Sequence, residues 1–128
     1  MKIKEIAFVC YAVSDIPKAR NFYERILGLK ATNEWIGKDM GFIEYSFGPK
    51  ESYTFAIGQG APQFKPGRNG GTVALEVKNF NDTIKSLKKS RVKFIMKPHE
   101  NKSCFMALVL DPSGNQIMIH KRKVGTKK

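Results

Sequence analysis

The chain has little cysteine, few acidic residues and no long apolar run, and each shortage removes a class of function. Cys10 and Cys104 are the two cysteines in 128 residues. Both sit in apolar, strand-like runs without C-x-x-C spacing, which gives no disulfide or zinc framework and predicts reduced thiols in a cytoplasmic protein. No apolar stretch approaches the roughly 20 residues that span a bilayer. The opening MKIKEIAFVCYAV is broken by Glu5 and followed by SDIP, without a cleavage-site pattern, so no membrane attachment is expected.

Acidic residues number 11 against 23 Lys and Arg, a formal net charge of +12. Such an excess raises the possibility of a nucleic-acid partner. The basic residues, however, gather on a helix-like surface (Lys85, Lys88, Lys89, Arg91, Lys93) and in the closing HKRKVGTKK. Neither cluster carries interleaved aromatics, an RNP-like pattern or a helix-turn-helix signature, so specific nucleic-acid recognition is not expected. Weak non-specific binding at low salt is expected, because phosphate contacts need no sequence code.

What the sequence does contain is a repeat. Shifted by 64 positions, FVCYAVSDIPKARNFYERI lies over TVALEVKNFNDTIKSLKKS; shifted by 63, FIEYSFGPKESYTFAI lies over FMALVLDPSGNQIMIH. The order of element types agrees in both halves: strand, helix, then a hairpin of strands. In the first half, 6–13 alternates between a Val9, Tyr11, Val13 face and a Phe8, Cys10, Ala12 face, apolar on both sides. Ser14 and Asp15 are N-cap types, Pro17 suits a first turn, Ala19, Phe22, Tyr23, Ile26 and Leu27 recur at helical spacing, and Gly28 is the stop. Strands follow over 41–47 and 53–57. The stretch 58–71 is too rich in Gly and Pro for either regular structure and reads as the linker. The second half predicts a strand over 72–77, a helix over 81–90, a short strand over 93–96, a polar loop over 98–103, and a hairpin of 104–110 with 115–120. The whole reads as one domain over 1–123, with repeats of about 4–57 and 72–120 and a basic tail over 124–128.

The pattern VSDI…ARNFYERILGL followed by DPSGNQIMIH resembles the vicinal oxygen chelate superfamily, that of glyoxalases, bleomycin-resistance proteins and dioxygenases, from about Ile6 to His120. The resemblance implies an α+β fold in which two βαβββ repeats form a cupped mixed sheet, with the ligand in the cup, helices outside, and a homodimer as the common assembly. It also implies where metal-using relatives place their ligands, and those positions fall here on Phe8, Phe55, Thr72 and Met118. None is a competent ligand for a hard divalent ion. No metal, cofactor or catalytic residue is therefore assigned.

The replacements suggest an apolar cup lined by Phe8, Cys10, Tyr53, Phe55, Ala74, Met106 and Met118, with Thr72 as a polar contact and Trp35 at the rim. The same residues also suit a packed core. Metal-free binding or sequestration of a neutral or anionic organic molecule is the reading these residues favour. Two others stay open: a glyoxalase-like lyase or isomerase, or a dioxygenase-type enzyme, with a displaced site at Glu76, Gln116 and His120 or with Cys10 as nucleophile; and a non-catalytic interaction module. Against a displaced site, His120 beside HKRK reads as a surface residue and His99 as solvated, and no histidine is placed by sequence to act as a base for Cys10.

Overall fold

The β-branched and aromatic run after Phe8 forms β1 (Val9–Ala12), and the Ser14–Asp15 signal starts a helix as expected. The computed structural model describes residues 1–61 and 65–123; residues 62–64 of the linker and the tail 124–128 lie outside the described residues. The chain divides into two units, Met1–Pro66 and Gly67–Lys128.

In the first unit, the Asp15 side chain accepts the Lys18 N–H at 3.0 Å and caps α1 (Ile16–Arg20). The helix widens over Asn21–Ile26, where the Leu27 N–H reaches back five residues to Phe22 O at 2.9 Å. Gly28, at φ 80°, ends it with the left-handed residue that a helix stop favours. The strands β2 (Ala31–Gly37), β3 (Met40–Phe47) and β4 (Tyr53–Gln59) follow, and β1 pairs in parallel with β4 to give the order β1-β4-β3-β2. The sequence showed no strand pattern over 31–37, because its side chains are mostly exposed and show no alternation of apolar with polar residues.

One face of this sheet is covered by its helix. Ile16, Ala19, Phe22 and Tyr23 pack against Tyr11, Val13, Ile43, Tyr45, Phe55 and Ile57, all buried. The Tyr23 ring lies 6.2 Å from that of Tyr45 and 5.2 Å from that of Phe55. Each of the larger apolar side chains among these contributes roughly 1.5–3 kcal/mol through removal from water. Gly41 permits the close packing: a Cβ there would stand 3.2 Å from Ile36 Cδ1 and 3.4 Å from Ile16 Cγ1.

The second unit repeats the plan with β5 (Val73–Glu76), α2 (Phe80–Lys89), β6 (Phe94–Glu100), β7 (Cys104–Leu110) and β8 (Gln116–Arg122), in the order β5-β8-β7-β6. Asn79 caps α2 by accepting the Asp82 N–H at 2.9 Å. Phe80, Ile84 and Leu87 turn inward onto Ala107, Val109, Ile117 and Ile119. β6 runs through residues expected as a polar loop: Pro98 sits where the β6–β7 register slips, between Met96 and His99, so no ladder N–H is required of it. The two βαβββ units, each with a mixed four-stranded sheet, are the expected α+β arrangement. Among the described residues no helix is long and apolar enough to cross a membrane.

Candidate functional site

Strand alternation divides each sheet into a helix-covered face and a helix-free face. In the first unit the helix-free face carries Phe8, Cys10 and Ala12, then Thr54, Ala56 and Gly58, Phe42 and Glu44, and Asn33 and Trp35, as the pairings Cys10↔Ala56, Phe42↔Gly58 and Trp35↔Phe42 require. Phe8 and Trp35 are 47% and 58% exposed, and Phe8 meets Phe42 edge-to-face with centroids 5.9 Å apart. Burial pushes the Cys10 thiol up to about 11, so it is not a ready nucleophile at neutral pH.

Two expected cup residues lie on the other side. Phe55 is buried on the helix-covered face between Tyr11, at 5.3 Å, and Tyr23. Tyr53 shares that face, leaning over Gly48 at the hairpin and meeting Phe47 at 6.1 Å. The cause is register. Aligned on the turn prolines, Phe55 falls on Met118; aligned on pairing with the first strand of each unit, Val9↔Phe55 matches Val73↔Ile117. A slip of one residue exchanges the faces.

In the second unit Thr72, Ala74 and Glu76, Gln116, Met118 and His120, Leu108 and Met106 share the helix-free face. All four expected residues of this half, Thr72, Ala74, Met106 and Met118, are thus on one face of one sheet. Gln116 Nε2 donates to Thr72 Oγ1. One row crosses the sheet as Glu76, His120, Met106, His99. His120 Nδ1 lies 2.7 Å from Glu76 Oε1, while Glu76 Oε2 accepts the Arg122 N–H at 2.7 Å. Partial desolvation pushes the Glu76 carboxyl up, but the Arg122 N–H, the His120 ring and the nearby positive charge outweigh it and hold it below the usual carboxylate range. This pair gave no motif signal, because its members are 44 residues apart and meet only through the parallel β5–β8 pairing.

At the family positions Phe8, Thr72 and Met118 lack suitable donors for a hard metal ion, and Thr54 and Ala56, the helix-free neighbours of Phe55, supply at most one hydroxyl. Of the displaced set, Glu76 and His120 meet, but Gln116 is engaged with Thr72. Among the described residues no three His, Cys, Asp or Glu side chains come together as a metal-binding group.

A groove of about 730 Å³ opens elsewhere in the first unit, between the helix and the β2–β3 hairpin, lined by Ile16, Pro17, Arg20 and Glu24 from the helical segment and by Ile36 and Met40 from the hairpin. Within it Arg20 bonds Glu24 at 2.8 Å and Glu34 at 3.0 Å, and the buried Tyr45 hydroxyl donates to Glu24 at 2.9 Å, while Arg25 and Asp39 add further charge to the lining. None of the residues that the sequence pointed to as a cup, Phe8, Cys10, Tyr53, Phe55, Thr72, Ala74, Met106 and Met118, lines this groove.

Two βαβββ units in sequence, each with a mixed four-stranded sheet, define the class of fold. The family model described as the Glyoxalase/Bleomycin resistance protein/Dioxygenase superfamily matches residues 5–119, and the chain belongs to that superfamily. TnmS3, an antibiotic-binding protein from Streptomyces sp. CB03234, superposes with a TM-score of 0.78 at 22% identity, over 96% of this chain and 99% of its own. UcmS2 gives 0.76 at 20% identity, over 93% and 98%. The trypanothione-dependent glyoxalase I of Leishmania major gives 0.70 at 22% identity, over 93% and 87%. Likenesses at these identities show the fold. No curated protein matches the chain significantly in sequence.

Proposed function

We propose that this protein is a small-molecule-binding member of the superfamily, which holds an organic ligand against a helix-free sheet face without a metal at the family positions. One observation carries the reading: Phe8 and Trp35 stand about half exposed beside Phe42 on a sheet face that the helix leaves free. Large aromatics left in water at one place mark an interaction surface more often than a packing defect. The likeness to TnmS3, described as antibiotic-binding, supports the same reading. A net charge of +12 favours a neutral or anionic ligand over a cation. The protein is cytoplasmic and homodimeric on this reading.

Elemental analysis with native mass spectrometry of the untagged protein tests it, together with Trp35 fluorescence during titration with a set of planar apolar compounds. The expected result is a dimer without stoichiometric metal, quenched by at least one compound, with binding weakened about three- to tenfold by Phe8→Ala. Stoichiometric Zn, Ni, Mn or Fe, or binding untouched by Phe8→Ala and Trp35→Phe, overturns it.

A further inference from the structure

We infer that Glu76 and His120 form an oriented acceptor pair that takes a hydrogen bond from a hydroxyl, and best a phenol, of the bound molecule. The inference rests on the binding function proposed above and narrows its ligand class. Glu76 is ionised at neutral pH and can only accept hydrogen bonds, so the His120 nitrogen facing it at 2.7 Å must carry the proton. In its neutral form the ring then presents Nε2 as a lone pair. Glu76 is itself fixed, since its second oxygen accepts the Arg122 N–H at 2.7 Å and the Arg122 guanidinium stands 3.7 Å from the first. This is how a carboxylate sets tautomer and ring orientation in a working histidine.

Nε2 remains available. His120 makes its side-chain hydrogen bond through Nδ1, and among the described residues no buried side-chain nitrogen or oxygen lacks a partner. An unbonded Nε2 is therefore open to solvent. Its surroundings decide the class of partner. Met106 lies opposite on β7 with His99 beyond it, Met118 and Arg122 lie along β8, and Ala74 along β5. Methionines and an alanine around one directed acceptor suit a flat apolar body with a single donor, the character of a phenol. The methyl ether of the same molecule keeps the apolar body and removes the donor. It leaves the acceptor without a partner, a loss that hydrogen-bonding sites discriminate strongly.

The first test needs no ligand. Long-range ¹H–¹⁵N spectra of the free protein at neutral pH should show His120 as the Nδ1–H tautomer; the Nε2–H tautomer overturns the inference. Titrations with a naphthol, un-ionised at neutral pH, and its methyl ether form the second test. The phenol should bind about tenfold tighter, and His120→Phe and Glu76→Leu should each remove that preference, so that phenol and ether bind the variants alike. Equal binding of phenol and ether by the wild-type protein sinks the acceptor pair and leaves the apolar site standing. Binding of neither sinks the pair and counts against the site as well.

Discussion

Cys10 shares its sheet face with Phe8 and Trp35, yet its chemistry is suppressed. Loss of water around the thiol holds its pKa near 11, so thiolate is scarce at neutral pH. Iodoacetamide should modify Cys10 slowly at pH 7, with a rate that climbs throughout the range toward pH 11, read by peptide mass spectrometry; rapid modification at pH 7 would revive it as a nucleophile. Glu76 shifts the other way. Its pKa is lower in the folded chain than in the unfolded one, so its stabilising effect is full above the ordinary Glu range, near 4.3, and fades as pH falls through the folded value. Glu76→Gln should therefore be less stable than wild type at pH 7, with the difference shrinking as pH falls below the ordinary Glu range, as measured by urea denaturation. Phe55 and Phe8 test the face assignment directly. Phe55→Ala should cost about 3–5 kcal/mol and Phe8→Ala within about 0.5 kcal/mol. Alternation within 6–13 made Phe8 and Cys10 legible from sequence. The face of Phe55 was not, because turn text aligns hairpins without fixing their register against the first strand.

At the scale of elements, the two helices end alike but with different residues. Gly28 closes the first at φ 80° and Arg91 closes the second at φ 60°, where the Val92 N–H donates to Leu87 O at 3.0 Å. An L-residue in the left-handed region is strained, and glycine is not. A Cβ on Gly28 would meet nothing within 4 Å, so Gly28→Ala isolates the conformational cost, about 1 kcal/mol. Arg91→Gly should stabilise by roughly 0.5–1 kcal/mol, a rise of a few degrees in Tm by calorimetry. A fall on Arg91→Gly would mean that the arginine side chain contributes more than its strain costs. The caps Asp15 and Asn79, Pro17 and the helical spacing were all readable. β2 and the reach of β6 through Pro98 were not, since an exposed strand lacks alternation and a register slip conceals a tolerated proline.

At the scale of the molecule, the repeat and the superfamily were legible because element order survives where residue identity does not. The charge, by contrast, is not shared equally between the repeats. Fourteen of the 23 Lys and Arg and four of the 11 Asp and Glu lie after residue 66. Of those four acids, Glu76 meets His120 and Arg122, Glu100 pairs with Lys123, and Asp111 is buried in the β7–β8 turn against Asn115. Lys85, Lys88 and Lys89 stand exposed on α2, without an ion pair among the described residues. A polyanion should therefore bind weakly and without sequence preference, its affinity falling linearly with salt on logarithmic axes. Replacing Lys85, Lys88 and Lys89 together by Gln should lower the slope by roughly 2.7, about 0.9 for each phosphate no longer neutralised. The same replacement of Lys30, Lys38 and Lys50, exposed in the first unit, should leave the slope nearly unchanged. Fluorescence anisotropy with duplex DNA across a salt series measures both. Equal losses from the two triple variants would show that net charge alone, and not the α2 surface, attracts the polymer.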